Sequence, residues 1–146
     1  MNNKRYLIIG LALITIIIIY FIKNYYGYRE KALDDVISYD IKNFESLVFN
    51  EGVEQFERRT DNKAHAEKFN DFLSQYRVKK MKDSEWNGNV SKEKGFLVTI
   101  YTTRGPIMAS IYEHRLTFYN DGAYYKVING PIDIDWVKVY IDKFKQ

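Results

Sequence analysis

The sequence predicts an α+β fold, in which an N-terminal transmembrane helix precedes a small domain with a curved antiparallel meander sheet and two helices on one face. Three observations lead to this prediction. A long uncharged stretch stands near the N-terminus, two later segments carry apolar residues at helical spacing, and most of the remaining chain consists of short β-type segments separated by turns. Because the links between successive strands are short, neighbouring strands should be antiparallel.

The run from Tyr6 to Ile22, YLIIGLALITIIIIYFI, is the clearest feature of the chain. It contains no charged residue and no proline. As a helix it would span roughly 26 Å, close to the hydrocarbon thickness of a bilayer. A soluble core helix of this length would carry a polar stripe, and this run has none. The isoleucine run and the aromatic rings at both ends define the anchor. Its assigned residues are Tyr6, Ile16, Ile17, Ile18, Ile19, Tyr20, Phe21 and Ile22.

The segment KNYYGY after this run distinguishes a retained anchor from a cleaved signal peptide. It offers aromatic residues for the membrane interface and no small-residue cleavage site. We therefore predict an uncleaved signal anchor in the cell membrane, with the lipid bilayer as its first partner. The Lys4-Arg5 pair favours a cytoplasmic N-terminus. The predicted organisation is a cytoplasmic head (1–5), a transmembrane anchor (6–22), a juxtamembrane stalk (23–35) and an extracytoplasmic α+β domain (36–146).

Within the domain, the pattern of apolar residues and turn residues predicts the order of elements. Alternation at Ile37, Tyr39 and Ile41 predicts a strand over 36–49, and 53–59 is the predicted return strand. A helix capped by Thr60 or Asp61 should run to about Tyr76. The other predicted elements are strands over 77–81, 96–102, 107–113, 115–119 and 123–128, a hairpin turn at Asn120-Asp121-Gly122, and a last helix capped by Asp133.

The net charge of +3 is produced at the membrane boundary and not in the domain. Without the four basic residues that flank the apolar run, 18 basic residues face 19 acidic ones. A near-neutral domain argues against nucleic acid as a partner. The only basic concentration is Arg77, Lys79, Lys80 and Lys82, which we interpret as a solvated strand end. The chain has no cysteine, which excludes disulfides and thiolate chemistry.

The sequence predicts no enzyme, no metal site and no cofactor. It contains none of the motifs for a nucleophilic serine, a zinc protease, a calcium loop or a phosphate loop. Its two histidines are His65, expected on the exposed side of the first domain helix, and His114. The cluster at Glu113 and His114 is the one place where a hydrolase-type site could lie. A solvated turn between two strands is the simpler interpretation.

Aromatic residues are the unusual feature of the domain. Tyrosines recur on successive predicted strands, and neighbouring residues such as Tyr124 and Tyr125 must point to opposite faces. Aromatic rings on the open face of a sheet would form a surface for a protein or a wall component, although many of them should pack in the core. The candidate binding residues are Trp86, Tyr101, Tyr112, Tyr124 and Tyr125.

These features predict a membrane-anchored, non-enzymatic interaction module of the cell envelope. The alternative function is a small inhibitor or immunity-type protein that neutralises a toxin or hydrolase at the membrane. That alternative would be supported by a protruding loop at Trp86.

The layout resembles small, single-pass, membrane-anchored proteins of low-GC Gram-positive bacteria. The resemblance rests on the basic head MNNKR, the isoleucine-rich span and a Lys-, Asn- and Tyr-rich domain without cysteine. It extends over the full chain as architecture. It implies a location in the membrane and assigns no functional residue.

Overall fold

The computed structural model describes residues 2–50, 57–90 and 92–144, which form a long N-terminal helix and an antiparallel sheet with helices packed against it. The predicted α+β class is confirmed. The helices are α1 (Asn2–Tyr28), α2 (Leu33–Val36), α3 (Lys63–Ser74) and α4 (Ile134–Ile141). The strands are β1 (Lys31–Ala32), β2 (Phe44–Asn50), β3 (Glu57–Thr60), β4 (Arg77–Lys80), β5 (Gly95–Thr102), β6 (Gly105–Tyr112), β7 (Arg115–Phe118) and β8 (Ala123–Val127).

Helix α1 contains the whole predicted anchor and continues through Tyr28. The stretch Lys4–Tyr28 is long and apolar enough to cross a bilayer, and none of its most apolar window is buried against the rest of the chain. The same length and composition also fit a signal sequence. The apolar run of α1 is therefore not buried within the described part of the protein, unlike the core helix of a soluble domain.

The described strands form one sheet in the order β1-β4-β8-β7-β6-β5-β2-β3, and all neighbours are antiparallel. The predicted meander is confirmed for β5 to β8. It is wrong for β4, which pairs with β8 and not with β5, the next strand in the chain. The link over 81–94 is too long for a hairpin, so the chain crosses the sheet before β5 begins.

The segment before β2 differs most from its prediction. The strand expected over 36–49 begins only at Phe44, because Leu33 and Ile37 are fully buried in and beside the short helix α2. Tyr39 packs on the same core, and its hydroxyl donates to the carbonyl of Ala66 at 3.0 Å. The apolar alternation at these positions therefore reflects packing of a helical turn and an irregular loop.

Part of the predicted stalk belongs to the domain. Lys31 pairs with Val78, and the amide of Leu33 donates to the carbonyl of Tyr76 at 2.9 Å. Only residues 29–30 separate α1 from this sheet edge. The long helix is thus joined to the sheet through two residues and a pair of strands. The predicted return strand over 53–59 lies partly outside the described residues, and its described part contributes to β3.

The core lies between one face of the sheet and the helices α3 and α4. Phe49 of β2 is fully buried and shows that both helices share this face, because its ring lies 5.1 Å from that of Phe69 in α3 and 6.1 Å from that of Tyr140 in α4. Trp136 of α4 stacks on Phe72 of α3 with 4.1 Å between ring centroids. Truncating a ring as central as Phe49 would cost about 3–5 kcal/mol.

Side-chain caps fix the starts of both packed helices. Asp133 accepts a hydrogen bond from the amide of Trp136 at 2.9 Å, which confirms the predicted cap of α4. Helix α3 is capped by Asn62, whose side chain accepts from the amide of Ala64, and not by the predicted Thr60 or Asp61. Thr60 instead ends β3 and binds the ring of His65 at 2.8 Å.

Candidate binding surface

The face of the sheet opposite α3 and α4 carries Tyr101, Tyr112 and Tyr124, three of the predicted aromatic residues. Strand register defines its rows. Thr99 of β5 is paired with Met108 of β6, and in the next row Leu97, Ser110, Thr117 and Tyr124 are successive partners across β5 to β8. Their neighbours along each strand point into the core. We call this surface the outer face.

At one end of the outer face, the chain covers its own aromatic residues. The indole of Trp86 stacks on the ring of Tyr124 with 4.3 Å between centroids and 15° between planes. The guanidinium of Arg115 lies 4.9 Å from the centre of the same indole. Such ring and cation contacts stabilise a buried edge by about 0.5–2 kcal/mol each. We call Trp86, Arg115 and Tyr124 the covered end.

Arg115 is the residue that holds the link over 81–94 on the covered end. We call this link the long loop. Its guanidinium forms an ion pair with Glu93 at 2.7 Å, and its side chain is only 13% exposed. It also donates to the backbone carbonyls of Asn87 and Asn89. One cation thus binds three described points of the link over 81–94 and holds them at this end of the sheet. Trp86 consequently does not protrude.

At the opposite end of the outer face, aromatic rings remain exposed. Tyr101 of β5 is 40% exposed, and Arg59 of β3 lies over its ring at 5.6 Å. Tyr119, which follows β7, is 52% exposed, and its hydroxyl is 2.9 Å from that of Ser110. The register places Met108 diagonally between them. We call Tyr101, Met108, Ser110 and Tyr119 the open end.

The remaining predicted binding residues serve the fold. Tyr125 lies in the core, and its hydroxyl donates to Asp121 at 3.0 Å. Tyr112 is half-buried because its ring packs over Gly95. A Cβ atom added at Gly95 would meet this ring and would lie 2.7 Å from the carbonyl oxygen of Ile111. Of the five candidates, Tyr101 alone is an exposed ring.

Burial changes the acidity of two tyrosines on the core side. It raises the pKa of Tyr125 to about 12, and the negative charge of Asp121 and the hydrogen bond to it act in the same direction. Burial also raises the pKa of Tyr39 to about 12, with a smaller contribution from the charge of Glu67. Both phenols therefore stay neutral and remain hydrogen-bond donors over the whole physiological range.

Tyr119 and Arg59 lie on this surface although neither is among the binding residues predicted from the sequence. Alternation along β7 could have found Tyr119, since Leu116 is buried and every second residue after Thr117 faces outward. No sequence signal could have found Arg59, because its place over Tyr101 depends on β3 lying beside β2 at the edge of the sheet.

Glu113 and His114 lie in a turn of the fold, and His65 lies against another aromatic ring. Glu113 and His114 form the two-residue turn between β6 and β7; the side chain of His114 is exposed, and its carbonyl accepts from the amide of Val127 at 2.8 Å. His65 was expected to be exposed, and this is wrong, because its ring stacks on Phe144 at 4.8 Å beside the end of α4. No group of three or more metal-ligating side chains occurs among the described residues.

Comparison with protein-family models, with curated proteins and with solved structures gives no match for this chain. Helix α1 and the outer face are therefore the features from which a function can be inferred.

Proposed function

We propose that the protein is a membrane-anchored, non-enzymatic interaction module of the cell envelope, and that it binds another envelope protein or a wall component through the open end. The observation that carries this proposal is the contrast on one sheet face. Tyr101 and Tyr119 stay exposed, although on the same face Trp86 of the protein's own loop covers Tyr124.

The chemistry of the open end suits such a partner. Two tyrosine rings provide rigid contact area, and their hydroxyls can exchange hydrogen bonds with a polar ligand. Met108 provides an adaptable apolar contact between them, and Arg59 adds a cation at the rim. The surface combines apolar, hydroxyl and cationic groups, which is the composition expected of a protein or glycan contact.

Helix α1 supports the anchoring part of the proposal, since its apolar surface has no cover within the described residues. Extraction of membranes at alkaline pH followed by mass measurement tests it. We expect the chain to stay in the membrane fraction at its full 17.4 kDa. A soluble product shortened by the length of α1 would show a cleaved signal sequence instead. Protease added to intact cells should digest the domain if it faces outward.

Site-specific photo-crosslinking in the full-length chain tests the open end. A photoreactive residue at Tyr119 should give a defined adduct in the native membrane, and the additional change Tyr101→Ser should reduce it strongly. The matched control is the same residue at Lys68, which is exposed on α3 behind the sheet. An equal adduct at Lys68, or an adduct at Tyr119 that is indifferent to Tyr101→Ser, would refute the assigned surface.

The inhibitor function gains no specific support from the geometry. It would be favoured by a protruding loop at Trp86, and this indole lies flat on Tyr124 beneath the cation of Arg115.

A further inference from the structure

A groove of about 850 Å³ lies where α1 meets the sheet. One wall is the last part of α1, with the rings of Tyr20, Tyr25 and Tyr28. The other wall is formed by strands β4 and β8 and the start of the long loop. The cations that line the groove are Arg29, Lys79, Lys80, Lys82 and Lys126.

The charge in this groove is not balanced by its own acids. Among the described residues, Glu30 and Glu85 are the only acids that line it alongside the five cations. Glu30 is already paired with Arg77 at 3.0 Å, and Glu85 accepts from the backbone amide of Lys82 at 2.7 Å. Within the described part of the chain, none of the four lysine ammonium groups forms an ion pair.

The strand register places cations directly opposite one another on neighbouring strands. Lys79 of β4 stands directly opposite Lys126 of β8, and Lys126 stands directly opposite Arg115 of β7, so three cations occupy one row of the outer face. Like charges in directly opposed positions repel and destabilise a sheet. Glu93 neutralises Arg115, whereas neither Lys79 nor Lys126 forms an ion pair within the described part of the protein. An external anion would relieve this repulsion.

The position of the groove indicates the source of that anion. The apolar run of α1 ends at Ile22, so the turns from Asn24 to Tyr28 follow the hydrocarbon layer and reach the headgroup layer. The lysines of β4 are held at the same level, because β1 pairs with β4 only two residues after α1 ends. This holds for either orientation of the chain in the membrane.

We infer that this juxtamembrane groove binds the phosphate of an anionic phospholipid headgroup, with Lys79 and Lys126 as the principal contacts. The inference rests on the proposed anchoring of α1 in the bilayer. Lysine binds phosphate as a compact point charge, and basic groups next to a membrane span select anionic lipids. The tyrosines of α1 provide the interfacial wall against which the headgroup packs.

The test uses the full-length chain in nanodiscs that contain phosphatidylcholine and phosphatidylglycerol, with native mass spectrometry of the lipids that the released protein retains. We expect phosphatidylglycerol to be enriched over its share of the bilayer. Lys79→Gln with Lys126→Gln should lower that enrichment about fivefold. The control Lys63→Gln with Lys68→Gln removes the same charge from exposed positions on α3 and should leave the enrichment unchanged.

Three results would overturn the inference. The first is a set of retained lipids that matches the bulk composition. The second is a Lys79 and Lys126 double variant that keeps the enrichment. The third is loss of the enrichment when soluble glycerol phosphate is added at equal phosphate concentration, which would assign the groove to a soluble anion. Flotation with vesicles of phosphatidylcholine alone reports anchoring separately. Failure to float refutes the anchor itself, whereas flotation without enrichment refutes only the lipid site.

Discussion

The two ends of the outer face have similar aromatic content, but the rings are covered at one end and exposed at the other. At the covered end, Trp86 and Tyr124 stack on each other, and Arg115 fixes the loop above the sheet. At the open end, Tyr101 and Tyr119 face outward with nothing above them among the described residues except the Arg59 guanidinium over Tyr101.

The difference follows from the lengths and paths of the connections between strands. The link over 81–94 must cross from β4 to β5, and it passes over the covered end on the way. The link between β5 and β6 is a two-residue turn and can cover nothing. Aromatic composition therefore does not tell which end of the face stays exposed; the path of the connections does.

Among changes on the outer face, the largest effect is expected from Arg115→Ala. The change removes the ion pair to Glu93, the hydrogen bonds to two loop carbonyls and the cation over Trp86, and it leaves Glu93 half-buried without a partner. We expect a loss of about 3 kcal/mol of unfolding free energy, measured by urea denaturation of the full chain in detergent.

The matched control for this change is Arg77→Ala. Arg77 also pairs with a glutamate, but the side chains of Arg77 and Glu30 are 46% and 48% exposed. Its loss should cost less than about 1 kcal/mol. Equal effects of the two substitutions would show that Arg115 does not hold the loop.

Trp86→Ala should have the next largest effect. The loss of the stacked indole exposes Tyr124 and removes the surface that Arg115 lies on, which should cost about 2 kcal/mol. Limited proteolysis should then cut within residues 87–94. Trp86→Phe keeps a ring and should lose less than half as much stability. A loop that stays protected in Trp86→Ala would contradict this account.

Alkaline pH should destabilise the core side by a smaller amount. The folded pKa values of Tyr39 and Tyr125 lie near 12, above the usual value of 10 in an unfolded chain. Above pH 10 the unfolded state loses these protons first, so stability that is fully present below pH 10 is lost as the pH rises towards 12. We expect a loss of about 1 kcal/mol by pH 11.

Chemical denaturation at a series of pH values measures this loss. Tyr125→Phe lacks the titrating phenol, so its stability should fall less steeply with pH than that of the unmodified chain. Parallel slopes for the two proteins would show that Tyr125 ionises alike in both states.

The smallest effect on stability is expected at the open end. Tyr119→Ala removes an exposed ring and one hydrogen bond to Ser110, so the unfolding free energy should change by less than about 0.5 kcal/mol. The same variant should lose the crosslink proposed for this surface when the photoreactive residue is placed at Tyr101. A large drop in Tm would mean that Tyr119 supports the fold and not a partner.

The sequence predicted the elements whose signals are local. The apolar run of α1, the cap at Asp133 and the strands β5 to β8 depend on residues close together in the chain, and each is present. The segment around Ile37 and Tyr39 was misread because an apolar alternation of three residues is equally compatible with packing against a distant helix. Tyr39 reaches a carbonyl 27 residues away, which no local pattern records.

By itself, the sequence determined the apolar helix, the α+β class and the absence of cysteine chemistry, because these depend on composition and on short-range periodicity. Only the tertiary structure decided which aromatic residues are exposed and which lysines form no ion pair among the described residues. Both outcomes depend on strand order. The placement of β4 beside β8 sets Lys79 opposite Lys126 and sends the following loop across Tyr124, since a strand that leaves the sequential order brings remote residues together.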